Sequence, residues 1–165
     1  MTGWSASGLY AQALAQTLAA GANAPQWNNT ANKFYLTSNS DTPAYNASLA
    51  SSVYASGAPE IYGTGWAAGG IAVSALATGS TTLAPSFTYA TAPPTVLQWA
   101  ANNVSVATTT IAGAYGGYFY SSTASYLYKI IGIYFGGSGY STTAGTFAIT
   151  WSGGLIATIT CSTST

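Results

Sequence analysis

Alternation of apolar and polar positions is the recurring signal along most of this chain, and it predicts strands. Lys33 to Ser38 (KFYLTS) puts Phe34 and Leu36 on one face and Tyr35 and Thr37 on the other. Similar runs predict strands at 71–77, 88–90, 104–110, 114–120, 127–135, 146–151 and 155–160. Gly and Ser clusters separate the later ones, and Ser152–Gly153–Gly154 is a hairpin signal between the last two. Residues 4–20 (WSASGLYAQALAQTLAA) follow a helical period instead. Leu9, Ala13, Leu14 and Leu18 share a narrow stripe, Ser5 or Ser7 can cap it, and Gly21 stops it. A short helical turn is expected at 49–54. Many short strands behind one helix predict a mainly β fold, an antiparallel β-sandwich or barrel-like domain with one N-terminal helix. The expected division is an N-terminal helical arm at 1–26 and a β-sandwich at 27–165.

Composition sharpens this picture. The chain has 165 residues, the size of one domain, yet only 2% are charged, against about 25% in an ordinary globular domain. Lys33, Asp41, Glu60 and Lys129 are the complete set, there is no His, and formal net charge is zero. Two lysines cannot make a phosphate-binding patch, so nucleic acid is excluded as a partner. Disorder is excluded by 13 Tyr, 5 Trp and 5 Phe. The most apolar window, Tyr126 to Phe135, is too short to span a membrane as a helix and contains Lys129. The opening MTGWSASG lacks a basic region, so no secretory signal is expected. A single cysteine, Cys161, reads as a small residue in a terminal strand. Near-neutral surfaces associate, and this one predicts a protein packed against neighbours in an assembly.

The candidate chemistry is thin. Gly63 to Ala68 (GTGWAA) loosely fits a dinucleotide fingerprint, but that motif needs a helix next and an acidic residue about 20 positions on. Here Gly69, Gly70 and a strand-like run follow, and no acidic residue occurs after Glu60. The expectation is a glycine-bent sheet corner with Trp66 covering the space the glycines leave, and no cofactor. Without His a Ser-His-Asp site is impossible, and Asp41 with Glu60 is the one conceivable carboxylate pair. No loop pattern supports a metal, calcium included. The sequons at Asn28, Asn46 and Asn103 are chance matches in a chain this rich in Asn, Ser and Thr. The four charges are expected to pair, for example Glu60 with a lysine. Tyr115, Tyr118, Tyr120, Tyr126, Tyr128, Tyr134 and Tyr140 crowd one third of the chain. They read as a subunit interface, with a sugar-binding face as the rival.

Three motifs then coincide in order: KFYLTS at 33–38, EIYGTGWAAGG at 60–70 and GTFAITWSGGL at 145–155, with Trp99 (LQWA) and 127–136 between them. Over most of residues 27–160 this pattern resembles small structural virion proteins of tailed bacteriophages of the actinobacterial type, described as minor capsid or head-decoration proteins. Relatives carry acidic residues in the first turn and mid-chain that this chain lacks. The resemblance implies a β-rich fold and no enzymatic activity, with Glu60, Gly63, Gly65, Trp66, Gly69, Gly70 and Trp151 as a structural signature; taken with the neutral composition, the expected place is the capsid surface. The expected partner is then the major capsid protein, with a homo-oligomer, for instance a trimer, at symmetric lattice positions. A tail or connector component and a host-glycan-binding adhesin are the alternatives.

Overall fold

In the computed structural model the described residues are 3–20, 24–27, 29–46, 52–57, 59–72, 86–89, 95–101, 103–122, 126–152 and 155–161. The fold is mainly β, with one helix and antiparallel sheets. Its centre is a six-stranded sheet built around three strands: β2 (Lys33–Thr37), β8 (Gly116–Tyr120) and β9 (Lys129–Tyr134). Outside β9 lies β1 (Gly8–Leu9). Outside β2 lie β3 (Glu60–Ile61) and β4 (Ile71–Ala72), which pair with successive stretches of that strand. Two smaller sheets are also present among the described residues. One pairs β7 (Val104–Ala114) with β10 (Tyr140–Ile149), and the other orders β11 (Leu155–Cys161), β6 (Thr95–Ala100) and β5 (Ser86–Tyr89).

Both faces of the central sheet are buried. Phe34, Leu36, Phe119 and Ile130 point to one side and pack with Trp99, Val104, Ile111, Phe147 and Trp151 from the smaller sheets. Trp99 meets Phe119 at 5.3 Å between ring centroids, and Trp151 meets Phe119 at 5.5 Å and Phe34 at 6.1 Å. Tyr35, Tyr118 and Tyr120 alternate with those residues and point to the other side, where Trp4, Tyr10 and Ala13 cover them. The order is N-terminal layer, central sheet, paired smaller sheets, which is a sandwich with an added cover.

The N-terminal segment differs from its expected form. The helix α1 spans Ala11–Leu18 rather than 4–20, because Gly8 and Leu9 run as a strand against Gly132 and Ile131. Tyr10 is its N-cap residue and gives no side-chain cap. Ser7 instead accepts a hydrogen bond from the Tyr134 N–H. The buried face is Tyr10 and Ala13, while Leu14 and Leu18 of the predicted stripe turn outward, Leu18 at 77% exposure. Thr17 accepts from the Trp27 indole at 2.7 Å. The segment is a layer of the same domain and not an arm. The expected helix stop at Gly21 lies outside the described residues.

Other strands shift for identifiable reasons. The expected break near 111–113 is absent, because Gly113 at φ +70° is absorbed within β7, which runs on to Ala114. The chain then crosses into the central sheet at Tyr115, whose N–H bonds the Thr37 carbonyl. The expected closing hairpin is a correction: β10 pairs with β7 and β11 with β6, so the two strands belong to different sheets, and Gly153 and Gly154 of the hairpin signal lie outside the described residues. Of the turn expected at 49–54, residues 49–51 lie outside the described set and Val53 bridges Tyr128 in extended form. The expected strand at 71–77 is described only over β4, and position 90 likewise falls outside.

Candidate functional site

The glycine-rich stretch between β3 and β4 is a structural clamp. Gly63 and Trp66 exchange backbone hydrogen bonds of 2.9 and 3.0 Å, closing a turn over Thr64 and Gly65. Gly65 takes φ +77° at its third position, where a type II turn requires glycine. The turn seats Trp66 in the core, fully buried and 5.4 Å from the Phe147 ring. Thr64 bridges Thr110, which fastens the turn to β7. Gly70, at φ +74°, lies so close to β2 that a Cβ there would collide with the Phe34 carbonyl.

Glu60 holds this stretch from inside. One carboxylate oxygen accepts from the Gly69 N–H at 2.6 Å and the other from the Tyr54 hydroxyl at 3.0 Å. The Gly69 carbonyl in turn accepts from Tyr120 at 2.7 Å. The expected pairing of Glu60 with a lysine is therefore replaced by two neutral donors. A buried carboxylate needs such donors to offset its desolvation, and charge-assisted bonds of this kind are the strong ones. The Tyr54 phenol is pushed up to about 12 by burial and by its bond to Glu60. Trp151 of the same signature lies across the core from the clamp, against Phe34 and Phe119.

The second concentration of polar chemistry is the tyrosine face. Tyr118 is fully buried and donates to the Asp41 carboxylate at 2.5 Å. Its ring packs against Trp4 at 4.8 Å, Tyr35 at 5.2 Å and Tyr10 at 5.9 Å. Lys129 lies over the Tyr118 ring at 4.9 Å and the Tyr10 ring at 5.8 Å, a cation–π arrangement. Burial lowers the lysine pKa, and the Asp41 charge offsets part of that. Burial also pushes the phenols of Tyr10, Tyr35, Tyr118 and Tyr120 far above their ordinary value, and that of Tyr45 up to about 12. Each stays protonated at neutral pH.

The predicted tyrosine interface is thus corrected. Tyr118, Tyr120 and Tyr128 are inside the fold, Tyr115 and Tyr134 are half-buried, and Tyr126 and Tyr140 are exposed. The local alternation in GYFY signalled a sheet with two different faces. It could not signal that the N-terminal layer covers the phenolic one. Tyr62, also exposed, was not singled out by its sequence context.

What the arrangement can do chemically follows from these partners. Asp41 and Glu60 sit in separate networks, one at Tyr118 of the tyrosine face and one in the glycine clamp, each bonded to a phenol. Among the described residues no three His, Cys, Asp or Glu side chains come together as metal ligands. Among them also, no helix is long and apolar enough to cross a membrane. A cleft of about 350 Å³ is lined by Ile133 to Phe135, Tyr140 and Phe147 to Trp151, none of them charged. No protein-family model, curated protein or solved structure matches this chain.

Proposed function

We propose that the chain is a structural assembly protein without catalytic activity, a decoration or minor capsid protein on the shell of a tailed bacteriophage, bound to the major capsid protein. The observation that carries this reading is the placement of the charges. Glu60 is buried, and Lys33, Asp41 and Lys129 are each half-buried. The surface that meets other molecules is neutral, so little repulsion holds neighbours apart. The ordered motifs at 33–38, 60–70 and 145–155 supply the virion part of the reading, by resemblance. The enclosure of Tyr118, Tyr120 and Tyr128 counts against the glycan-binding alternative, which keeps only Tyr126 and Tyr140 of that cluster as exposed rings.

A binder specific for the assembled shell stabilises it by linkage, multiplied over many sites. Contacts made by a neutral surface are apolar and hydrogen-bonded, and they resist salt where ion pairs would be screened. The test is co-sedimentation of the purified chain with shells lacking it, at about 0.1 and 1 M NaCl, ionic strengths with Debye lengths near 10 and 3 Å. Binding retained at the higher salt, in hundreds of copies per particle, is the expected result. Release by salt alone, or a few copies confined to the tail, overturns the shell assignment.

A further inference from the structure

We propose that residues 3–18 form a strap latched by Tyr45, which opens as a unit ahead of the sheets and uncovers the phenolic face of the central sheet. The inference goes beyond the assembly reading and does not rest on it. The strap meets the sheet at one edge, where Gly8 and Leu9 pair with Gly132 and Ile131. Tyr45 belongs to the loop after β2 and lies across that pairing. A Cβ on Gly8 would stand 3.0 Å from the Tyr45 ring, and one on Gly132 would stand 2.9 Å from the Tyr45 hydroxyl. Glycine at both positions is what lets the ring approach so closely. The Tyr45 hydroxyl donates to the Ala6 carbonyl at 2.7 Å, and the Tyr45 carbonyl accepts from the Ala11 N–H at 2.9 Å. Its ring meets Tyr10 edge-on at 5.2 Å. One residue outside the strap thus holds it at Ala6, Gly8, Tyr10 and Ala11. The same loop is pinned to the sheet where Asp41 accepts from Tyr118.

Without the latch little else holds the strap. Its helix has eight residues, no side-chain cap, no acid in the first turn and no base in the last, and Ala13 is its one buried residue. A helix that short is marginal unless docked. Its ladder is two residues long, whereas β2 and β8 each pair along both edges. Its bonds from Tyr45 to Ala6 and from Tyr134 to Ser7 are exposed. Units of this kind open at a free energy below that of global unfolding. The far end is tied, since Thr17 accepts from the Trp27 indole and Trp27 packs on Trp99 in the main core. Opening takes Trp4 and Tyr10 off the Tyr118 ring, and it takes Tyr10 away from the Lys129 amine that lies over both phenol rings. The tyrosine surface enclosed in the closed chain is then presented by the opened one.

The test uses the chain alone, without shells, so that its outcome is separate from the co-sedimentation result. Residue-resolved amide exchange is compared for the wild type, Tyr45→Phe and Tyr45→Ala. The amides of Tyr10, Ala11 and Tyr134 bond between the strap and the rest of the fold. In the wild type they should exchange together, at least about tenfold faster than those of β2 and β8. Tyr45→Ala should speed these three by a further factor of about ten or more and leave β2 and β8 as they were. Tyr45→Phe, which lacks only the bond to Ala6, should speed them roughly fivefold. Acylation of the Lys129 amine should rise in the same order, with Lys33 in β2 as the reference amine. Strap amides that exchange with those of β2 and β8, or a Tyr45→Ala chain in which all of them speed up equally, would make the N-terminal layer part of one cooperative unit and overturn the proposal. Strap amides unchanged in Tyr45→Ala, or Lys129 and Lys33 reacting in step, overturn it as well.

Discussion

On one face of the central sheet Phe34, Leu36, Phe119 and Ile130 present hydrocarbon to two other sheets. On the opposite face Tyr35, Tyr118 and Tyr120 present phenols to the N-terminal layer, and each polar tip has to be housed. The first face is held by area removed from water and by close packing, which are non-directional. The second adds directional terms: Tyr118 to Asp41, Tyr120 to the Gly69 carbonyl, Tyr45 to the Ala6 carbonyl and the Trp4 indole to Thr37. Tyrosine gives a core of large rings whose tips fix partners at long sequence separation, 77 residues for Tyr118 and Asp41. Asp41 and Lys129 sit there and Glu60 in the glycine clamp, which takes three of the four charges into polar networks of the fold.

The largest test of this difference is alkaline pH, because it acts on several phenols at once. Each shifted tyrosine has a folded-state pKa above its unfolded value near 10. Below that value both states are protonated and the stabilisation is intact. Above it the unfolded chain loses protons first, so stability falls as pH rises from about 10 through 12, where Tyr45 and Tyr54 titrate. Lys129 acts with the opposite sign: its lowered pKa makes stability rise with pH up to 10.5, the unfolded value. Denaturant midpoints across pH 8 to 12.5, read beside phenolate absorbance, should show cooperative loss above pH ~10 with the phenolates appearing together at unfolding. Phenolates that titrate near pH ~10 in a still-folded chain would mean the tyrosine face is open to solvent.

Substitutions separate the faces next. Phe119→Ala removes a ring packed between Phe34, Trp99 and Trp151 and should cost about 3–5 kcal/mol in denaturant melts. Gly70→Ala belongs in the same class at about 3 kcal/mol or more, since strain and a backbone collision with Phe34 act together. Gly136→Ala is its control, with φ +107° but nothing within 4 Å, and should cost roughly 1–2 kcal/mol. Tyr118→Phe keeps the ring and deletes the donor to Asp41, for about 1–3 kcal/mol. Equal losses for Phe119→Ala and Tyr118→Phe would erase the distinction between the faces.

How far the sequence foretold this follows the same division. Where aliphatic and phenolic or hydroxyl side chains alternate cleanly, as in KFYLTS, the strand and both of its faces were legible. The glycine clamp was legible as a bend because no helix and no acidic residue followed it. The first half of β10 was not, since residues exposed on both sides carry no alternation, so the strand seemed to begin at Thr146 rather than Tyr140. The helix face was misassigned because Leu9 pairs in a strand, which leaves Tyr10 and Ala13 to anchor α1. The tyrosine cluster was found by counting, but its location inside depends on the N-terminal layer, a contact of high sequence separation that local pattern does not carry.

Glu60→Gln is the finest probe, because it keeps the shape of the clamp and alters only charge. The Gln carbonyl can still accept from one donor, the Gly69 N–H or the Tyr54 hydroxyl, but the amide nitrogen cannot accept from the other. One of the two bonds must therefore be lost or reversed, and the other weakens from charge-assisted to neutral. The expected cost is about 1–2 kcal/mol, below that of Gly70→Ala. The Tyr54 phenol should also titrate at lower pH in the variant, since the carboxylate that helps raise it is gone. A stability loss with no change at Tyr54 would mean that Glu60 acts through Gly69 alone. Loss of the whole fold would make the clamp, and not the aromatic layers, the element on which the three sheets depend.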